Sequence, residues 1–197
     1  MQEHYFTSSP QSKLKIYKIK ATVRNKEIEF FTASGLFSIK KIDKGSELLI
    51  NKCIIKDNWK VLDLGCGYGI IGLASLKSNS KLELTFSDIN ERAIQITKKN
   101  LELNRLKAKT IISNGFKNIK EKFDTILLNP PQTAGKQLCF NLIEDSKKYL
   151  ENKGILQIVA RHNKGGKELS KKMFETFNNV KEIAKASGYR IYTSQNT

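Results

Sequence analysis

Val61-Leu62-Asp63-Leu64-Gly65-Cys66-Gly67-Tyr68-Gly69 decides the fold. An apolar strand, Val61–Leu64, runs into a glycine-rich turn, and residues 70–78 continue in a helical pattern. Such a turn lets the backbone approach a ligand closely at the carboxyl end of a sheet. Downstream the same grammar recurs: Leu82–Phe86 before 91–104, Thr110–Ile112 before a short segment, Phe123–Leu128 before 136–151, Ile155–Val159 before 166–178. Asn90 followed by Glu91 makes a helix start, and Gly154 is placed where a helix ends and a strand begins. Val180–Ala184 and Tyr189–Tyr192 around Ser187-Gly188 read as a terminal hairpin. Strands and helices alternating at this spacing predict an α/β fold, Rossmann-like, with a mostly parallel sheet covered on both faces.

Upstream the pattern differs. Leu14, Ile16, Ile28 and Phe30 alternate with charged neighbours about an Arg24-Asn25-Lys26 turn, and Ser46 is read as opening a helix that carries Leu48, Leu49 and Cys53. The division that follows is a small N-terminal β extension over 1–45, packed on a main domain over 46–197.

Composition excludes several classes. The chain has 197 residues, 39% hydrophobic and 27% charged, which is enough for one sizeable core. Its longest uncharged apolar runs fall short of the roughly 18 residues of a membrane span, and MQEHYFTSSP has no signal-peptide character. Cys53, Cys66 and Cys139 are odd in number and widely spaced, so a reducing, cytoplasmic setting is expected. With His4 and His162 far apart, no metal site assembles from familiar spacings. The 35 basic residues against 19 acidic leave a charge of +16, and residues 161–197 alone carry eight basic and three acidic groups. A field of that sign draws polyanions, of which nucleic acid is the commonest in a cell. Lys outnumbers Arg thirty to five, a surface suited to positioning phosphates more than to reading bases.

Two sites carry chemistry. Asp63 precedes the glycine turn, where a carboxylate repels a pyrophosphate but welcomes an ammonium group. Asp88 closes the next strand, 23 residues after Gly65, where its two oxygens suit the hydroxyls of a ribose. Together they describe S-adenosylmethionine better than a dinucleotide. The second site is Ile126-Leu127-Leu128-Asn129-Pro130-Pro131. Two prolines after an apolar strand force a rigid, donor-poor turn, leaving the Pro130 carbonyl and the Asn129 side-chain oxygen as acceptors. Held between two acceptors, an exocyclic amine on a planar base can become pyramidal and aim its lone pair at an electrophilic methyl. No strong base is needed, because the nitrogen loses its proton after it has become cationic.

These motifs resemble the class I S-adenosylmethionine-dependent methyltransferases and, within them, the small methyltransferase family. The likeness is closest to the catalytic half of the ribosomal RNA small subunit methyltransferase C group, in its short members, and covers nearly the whole chain. It rests on Thr32-x-x-Gly35-x-Phe37-Ser38, Asp43-x-Gly45-Ser46, the glycine turn, Ser87-Asp88-Ile89-Asn90, Asn129-Pro130-Pro131 with Ala134-Gly135-Lys136, and Gly188-Tyr189-Arg190. The resemblance implies a seven-stranded class I sheet and methylation of an exocyclic amine, guanine N2 of rRNA or tRNA above all. Guanine N7, adenine N6 and a protein glutamine amide are the alternatives, and a non-catalytic RNA-binding subunit is the alternative of a different class. It implies that Asp63, Gly65, Cys66, Gly67 and Gly69 cradle the methionine end of the cofactor and that Asp88 and Ile89 meet the ribose. Asn114, Gly115 and Phe116 would flank the adenine, and Asn129 to Pro131 would hold the target amine. The position after Pro131, typically aromatic, is Gln132 here, so the base-stacking face falls to Phe37, Phe6 or Tyr5. Gln132, Lys136 and Arg161, the last within Arg161-His162-Asn163-Lys164, are expected to face the substrate.

Overall fold

The computed structural model describes residues 13–132 and 135–197. Tyr5, Phe6 and Ala134 lie outside them.

The chain first forms an antiparallel hairpin of β1 (Ile16–Val23) and β2 (Lys26–Ala33). Arg24 and Asn25 both take positive φ, 48° and 60°, the geometry of a tight two-residue hairpin turn. After α1 (Lys44–Lys52) come β3 (Lys60–Leu64), α2 (Ile70–Ser78), β4 (Glu83–Asp88), α3 (Glu91–Leu103), β5 (Lys109–Ile112) and β6 (Phe123–Leu128). The chain ends with α4 (Lys136–Tyr149), β7 (Leu150–Arg161), α5 (Lys167–Phe177), β8 (Lys181–Ala186) and β9 (Tyr189–Gln195). Seven strands make one sheet in the order β5-β4-β3-β6-β7-β9-β8. The first five run parallel, and β9 is antiparallel to both β7 and β8. Ser187 and Gly188, with φ of 50° and 79°, close the expected hairpin.

Strand order reverses about β3, whose neighbours are β4 on one side and β6 on the other. That reversal opens a crevice at the carboxyl ends of these strands. The sheet is held there by burial on both faces. Val61–Leu64 of β3 are all buried, and so are seven of the nine residues of α2, from Ile70 to Leu76. Gly72 permits the contact: a Cβ there would sit 2.3 Å from Phe86 Cε1, so any larger residue would push α2 off β4.

The N-terminal hairpin is tied to the main domain by side chains of α3 and of Asn104, which caps that helix's C-terminus. Asn100 accepts from Phe31 N–H (2.6 Å) and donates to the carbonyls of Phe31 (2.9 Å) and Tyr68 (2.8 Å); Asn104 donates to the carbonyl of Glu29 (2.8 Å). Phe30 stacks on Tyr68 with ring centroids 5.4 Å apart. Val23, Ile28 and Phe30 belong to the same apolar cluster as Leu73 and Phe86, so extension and main domain share one core.

Two local expectations are corrected. Ser46 does not open α1; Asp43 caps it, accepting from the amides of Gly45 and Ser46, and a division between 45 and 46 cuts the helix's first turn. Asp is as good a cap as Ser and stands nearer the point where the chain leaves its extended conformation. Gly154 does not mark the passage from helix to strand either. β7 begins at Leu150, directly after α4, pairing with Phe123, and residues 151–154 bulge out before Ile155 resumes the ladder opposite Thr125. Gly154 sits in that bulge because a Cβ would lie 2.9 Å from the Glu151 carbonyl oxygen.

Candidate active site

The crevice is an open cleft at the carboxyl edge of the sheet. β5, β4, β3 and β6 deliver Asn114, Asp88, the glycine turn and Asn129 to its wall in that spatial order. The glycine turn forms the floor. Gly65 and Gly67 have φ of +66° and +58°, and a Cβ on either would meet nothing within 4 Å, so their backbone is bare toward the cleft. Such a φ is strained for any residue with a side chain. Gly69 begins α2, and a Cβ there would lie 2.9 Å from Thr97 Cγ2.

Asp88 fixes this turn. Its Oδ2 accepts from Gly67 N–H (2.8 Å), and its Oδ1 accepts from Asn90 N–H (2.9 Å). Cys66 N–H donates to the Ser87 carbonyl (3.0 Å), joining the turn to the end of β4. Each Asp88 oxygen keeps a lone pair for a further donor. Burial pushes its pKa upward against these amide bonds. Ile89 and Gly115 line the cleft beside Asp88 and Asn114, and Cys66 lines it beside the glycines. Phe116 does not line it. It is buried in the core beneath, stacked on Tyr149 with ring centroids 4.6 Å apart.

Asp63 also lies off the cleft wall. It is 1% exposed, and its Oδ2 accepts from Gly72 N–H (2.9 Å). Burial pushes its pKa up to about 7, with the Asp88 charge adding to the rise. Its observed task is to pin the first turn of α2 behind the glycine turn.

Across the cleft, Asn129 is oriented by residues 83 and 86 positions earlier. Its Nδ2 donates to Ser46 Oγ (3.0 Å) and to Asp43 Oδ1 (3.4 Å). A carboxylate only accepts, so the group facing Asp43 is the amide nitrogen. The oxygen is what the side chain has left to offer, and no described residue donates to it. The Pro130 carbonyl is less free than the sequence implied: it accepts from Gln132 N–H (2.8 Å) across a tight turn, keeping one lone pair. Pro130 and Pro131 both line the cleft.

The substrate-facing expectations divide. Phe37 is 41% exposed and lines the cleft. Gln132, Lys136 and Arg161 do not. Gln132 accepts from Arg161 N–H (3.1 Å) and donates to the Lys164 carbonyl (2.8 Å), tying the end of β6 to the segment after β7. Lys136 lies over the Phe140 ring, and the Arg161 guanidinium lies over Tyr189 while donating to its hydroxyl (2.8 Å). All three stand just outside the cleft.

Sequence reading missed Asp43 and Ser46 as site residues, along with the apolar wall of Leu36, Leu138 and Leu142. The Asp43-x-Gly45-Ser46 motif was a signal, but a helix cap and a cleft residue look alike in sequence. Among the described residues no cluster of His, Cys, Asp and Glu could hold a metal ion, and no helix is long and apolar enough to cross a membrane.

Comparison with known proteins agrees with this arrangement. The family model for the methyltransferase small domain matches residues 27–193. The Bacillus subtilis protein YbxB, itself uncharacterized, is 35% identical over 195 residues, covering 97% of each chain. Ribosomal RNA small subunit methyltransferase C of Psychromonas ingrahamii is 35% identical over 173 residues, covering 86% of this chain and 49% of the relative. The chain thus spans about half the length of that relative. Among solved structures, the Thermus thermophilus 16S rRNA N2 guanine methyltransferase RsmC, in complex with AdoMet and guanosine, superposes with a TM-score of 0.81. That match has 22% identity and covers 95% of this chain and 52% of the other, a likeness of fold. With residues 27–193 matched by the family model, and with the crevice and glycine turn in place, the chain belongs to the small methyltransferase family.

Proposed function

We propose that this protein methylates an exocyclic amine of RNA, using S-adenosylmethionine, and that the target is N2 of guanine in ribosomal RNA. The observation that carries this reading is the orientation of Asn129. Ser46 and Asp43 hold its amide nitrogen, so its oxygen is the acceptor at the cleft. With the remaining lone pair of the Pro130 carbonyl, in a turn stiffened by Pro131, it makes a site for the two hydrogens of an amine. A protein carboxyl or a ring nitrogen without hydrogens would leave both acceptors unpaired.

The cleft also fits the cofactor. The bare backbone at Gly65 and Gly67 would take its methionine end, with Cys66 and Gly69 shaping the turn. Asp88 and Ile89 would take the ribose, and Asn114 and Gly115 the adenine, with Phe116 supporting that wall from behind. When bound, S-adenosylmethionine would supply an electrophilic methyl, its bonding pair staying on sulfur; Asn129 and the Pro130 carbonyl would hold the amine that takes the methyl, and the nitrogen would then shed a proton to water. Phe37 offers the flipped base an aromatic face, the role that Gln132 cannot fill. Gln132, Lys136 and Arg161 meet the flanking RNA outside the cleft. The extension over 1–45 and the domain over 46–197 act as one unit, because Asp43 serves both. The names of the ribosomal RNA relatives and the guanosine complex of the structural relative favour rRNA over tRNA. The setting is the cytoplasm, where rRNA is found. Deleting the gene should remove one N2-methylguanine from small-subunit rRNA, read by nucleoside mass spectrometry. An unchanged nucleoside profile would refute the assignment.

A further inference from the structure

The cleft holds carboxylates at two ends, and they are partnered differently. Both oxygens of Asp88 accept backbone amides. Asp43 Oδ1 accepts from Gly45 N–H (2.9 Å), Ser46 N–H (3.0 Å) and Asn129 Nδ2 (3.4 Å). Its Oδ2 is buried and has no hydrogen-bond partner among the described residues, although Asp43 forms part of the cleft wall. A buried carboxylate oxygen left unpaired is costly, which calls for a donor brought by a ligand.

Sheet order says which part of the ligand arrives there. Adenine at Asn114 and ribose at Asp88 occupy the ends of β5 and β4, so the methionine tail must run over β3 toward β6. Asn129 stands at the end of β6, and Asp43 is hydrogen-bonded to it. Asp63, the acid that the sequence assigned to the tail, is off the wall and already bonded to Gly72 N–H. A carboxylate bonds a cation more strongly than a neutral N–H, and the ammonium is the tail's cation.

We propose that Asp43, and not Asp63, is the counter-ion for the ammonium group of S-adenosylmethionine, an assignment that rests on the cofactor reading above. One carboxylate then serves both partners: Oδ2 binds the cofactor tail while Oδ1 holds the amide of Asn129. Loading the cofactor and setting the catalytic turn become linked through a single side chain.

Calorimetry on the full chain tests this with two ligands: S-adenosylhomocysteine, which carries the ammonium, and methylthioadenosine, which lacks the amino-acid tail. Asp43→Asn keeps the helix cap, since Asn caps as well as Asp. Affinity for S-adenosylhomocysteine should fall about 10- to 100-fold, the scale of one charge-assisted hydrogen bond. Affinity for methylthioadenosine should not change. Equal losses for both ligands mean a structural role and overturn the proposal, as does no loss for either. A loss confined to guanosine binding would assign Oδ2 to the base instead and also overturn it. The unaltered protein gives a second readout: the carboxyl ¹³C resonance of Asp43 should move on adding S-adenosylhomocysteine but not its deamino analogue. Identical responses contradict the assignment. Failure of the wild type to bind S-adenosylhomocysteine at all would sink the cofactor reading and this assignment with it.

Discussion

In the proposed reaction Asn129 works through one oxygen, and Ser46 and Asp43 orient that oxygen by holding the amide nitrogen. A contact that tightens only as the target nitrogen becomes tetrahedral contributes mostly to the transition state. Asn129→Ala should therefore lower the single-turnover rate roughly 10²- to 10³-fold, as for one preorganised polar contact. Calorimetric affinity for S-adenosylmethionine should stay near the wild-type value; a wild-type rate would move catalysis elsewhere on the sheet edge. Asp88→Ala should do the converse, weakening cofactor binding by about 1.5–3 kcal/mol. Unchanged affinity in the folded variant would remove Asp88 from the cofactor site. Asp63 makes a different prediction, because its pKa is raised from 3.8 to about 7 by burial. The folded state then holds a proton that the unfolded chain has released between those values, so this group's contribution to stability declines as pH rises through that window. Asp63→Asn, which has no proton to lose, should gain stability relative to wild type between pH 5 and pH 8. A difference in thermal midpoint that does not vary with pH would contradict this.

The elements that frame the cleft depend on close approach and on side chains that stitch them together. Gly72 lets α2 rest on Phe86, with 2.3 Å where a Cβ would be. Gly72→Ala should destabilise the protein by about 1–3 kcal/mol, the usual cost of overpacking a filled core, measurable by urea denaturation. No loss would mean that α2 can shift freely. At this scale the sequence was readable where period and punctuation agreed. Val61–Leu64, the helix from residue 70, the Asn90 cap and both hairpin turns follow from apolar runs meeting Gly, Asn and Ser. It failed where two readings share one pattern. Ser46 looks like a helix cap because it follows polar residues, yet Asp43 caps the helix and Ser46 serves Asn129. Asp63 looks like a ligand because it ends a strand, yet its carboxylate turns to Gly72. Neither a side chain's direction at a strand end nor a contact across 86 residues leaves a trace in local periodicity.

Over the whole molecule, charge and topology work together. The parallel strands bring Asp88, Asn114, the glycine turn and Asn129 to one edge of the sheet, and the net charge of +16 suits the RNA partner proposed for that edge. RNA binding should be chiefly electrostatic: each phosphate neutralised adds about 0.7–0.9 to the magnitude of the slope of log affinity against log salt. Affinity unchanged between about 50 and 200 mM salt would make the charge compositional only. If the target is the proposed base, it has to leave its stack to reach the Asn129 turn, at a cost of a few kcal/mol, so a loop should react faster than a duplex. The central claim is the identity of the methylated atom, and one measurement reads it directly. Unmodified small-subunit rRNA transcribed in vitro is incubated with the purified protein and S-adenosylmethionine, digested to nucleosides and resolved by mass spectrometry. N2-methylguanosine as the product, formed roughly 10²- to 10³-fold more slowly with Asn129→Ala, is the result expected; a methyl on guanine N7 or adenine N6, or none at all, would contradict it.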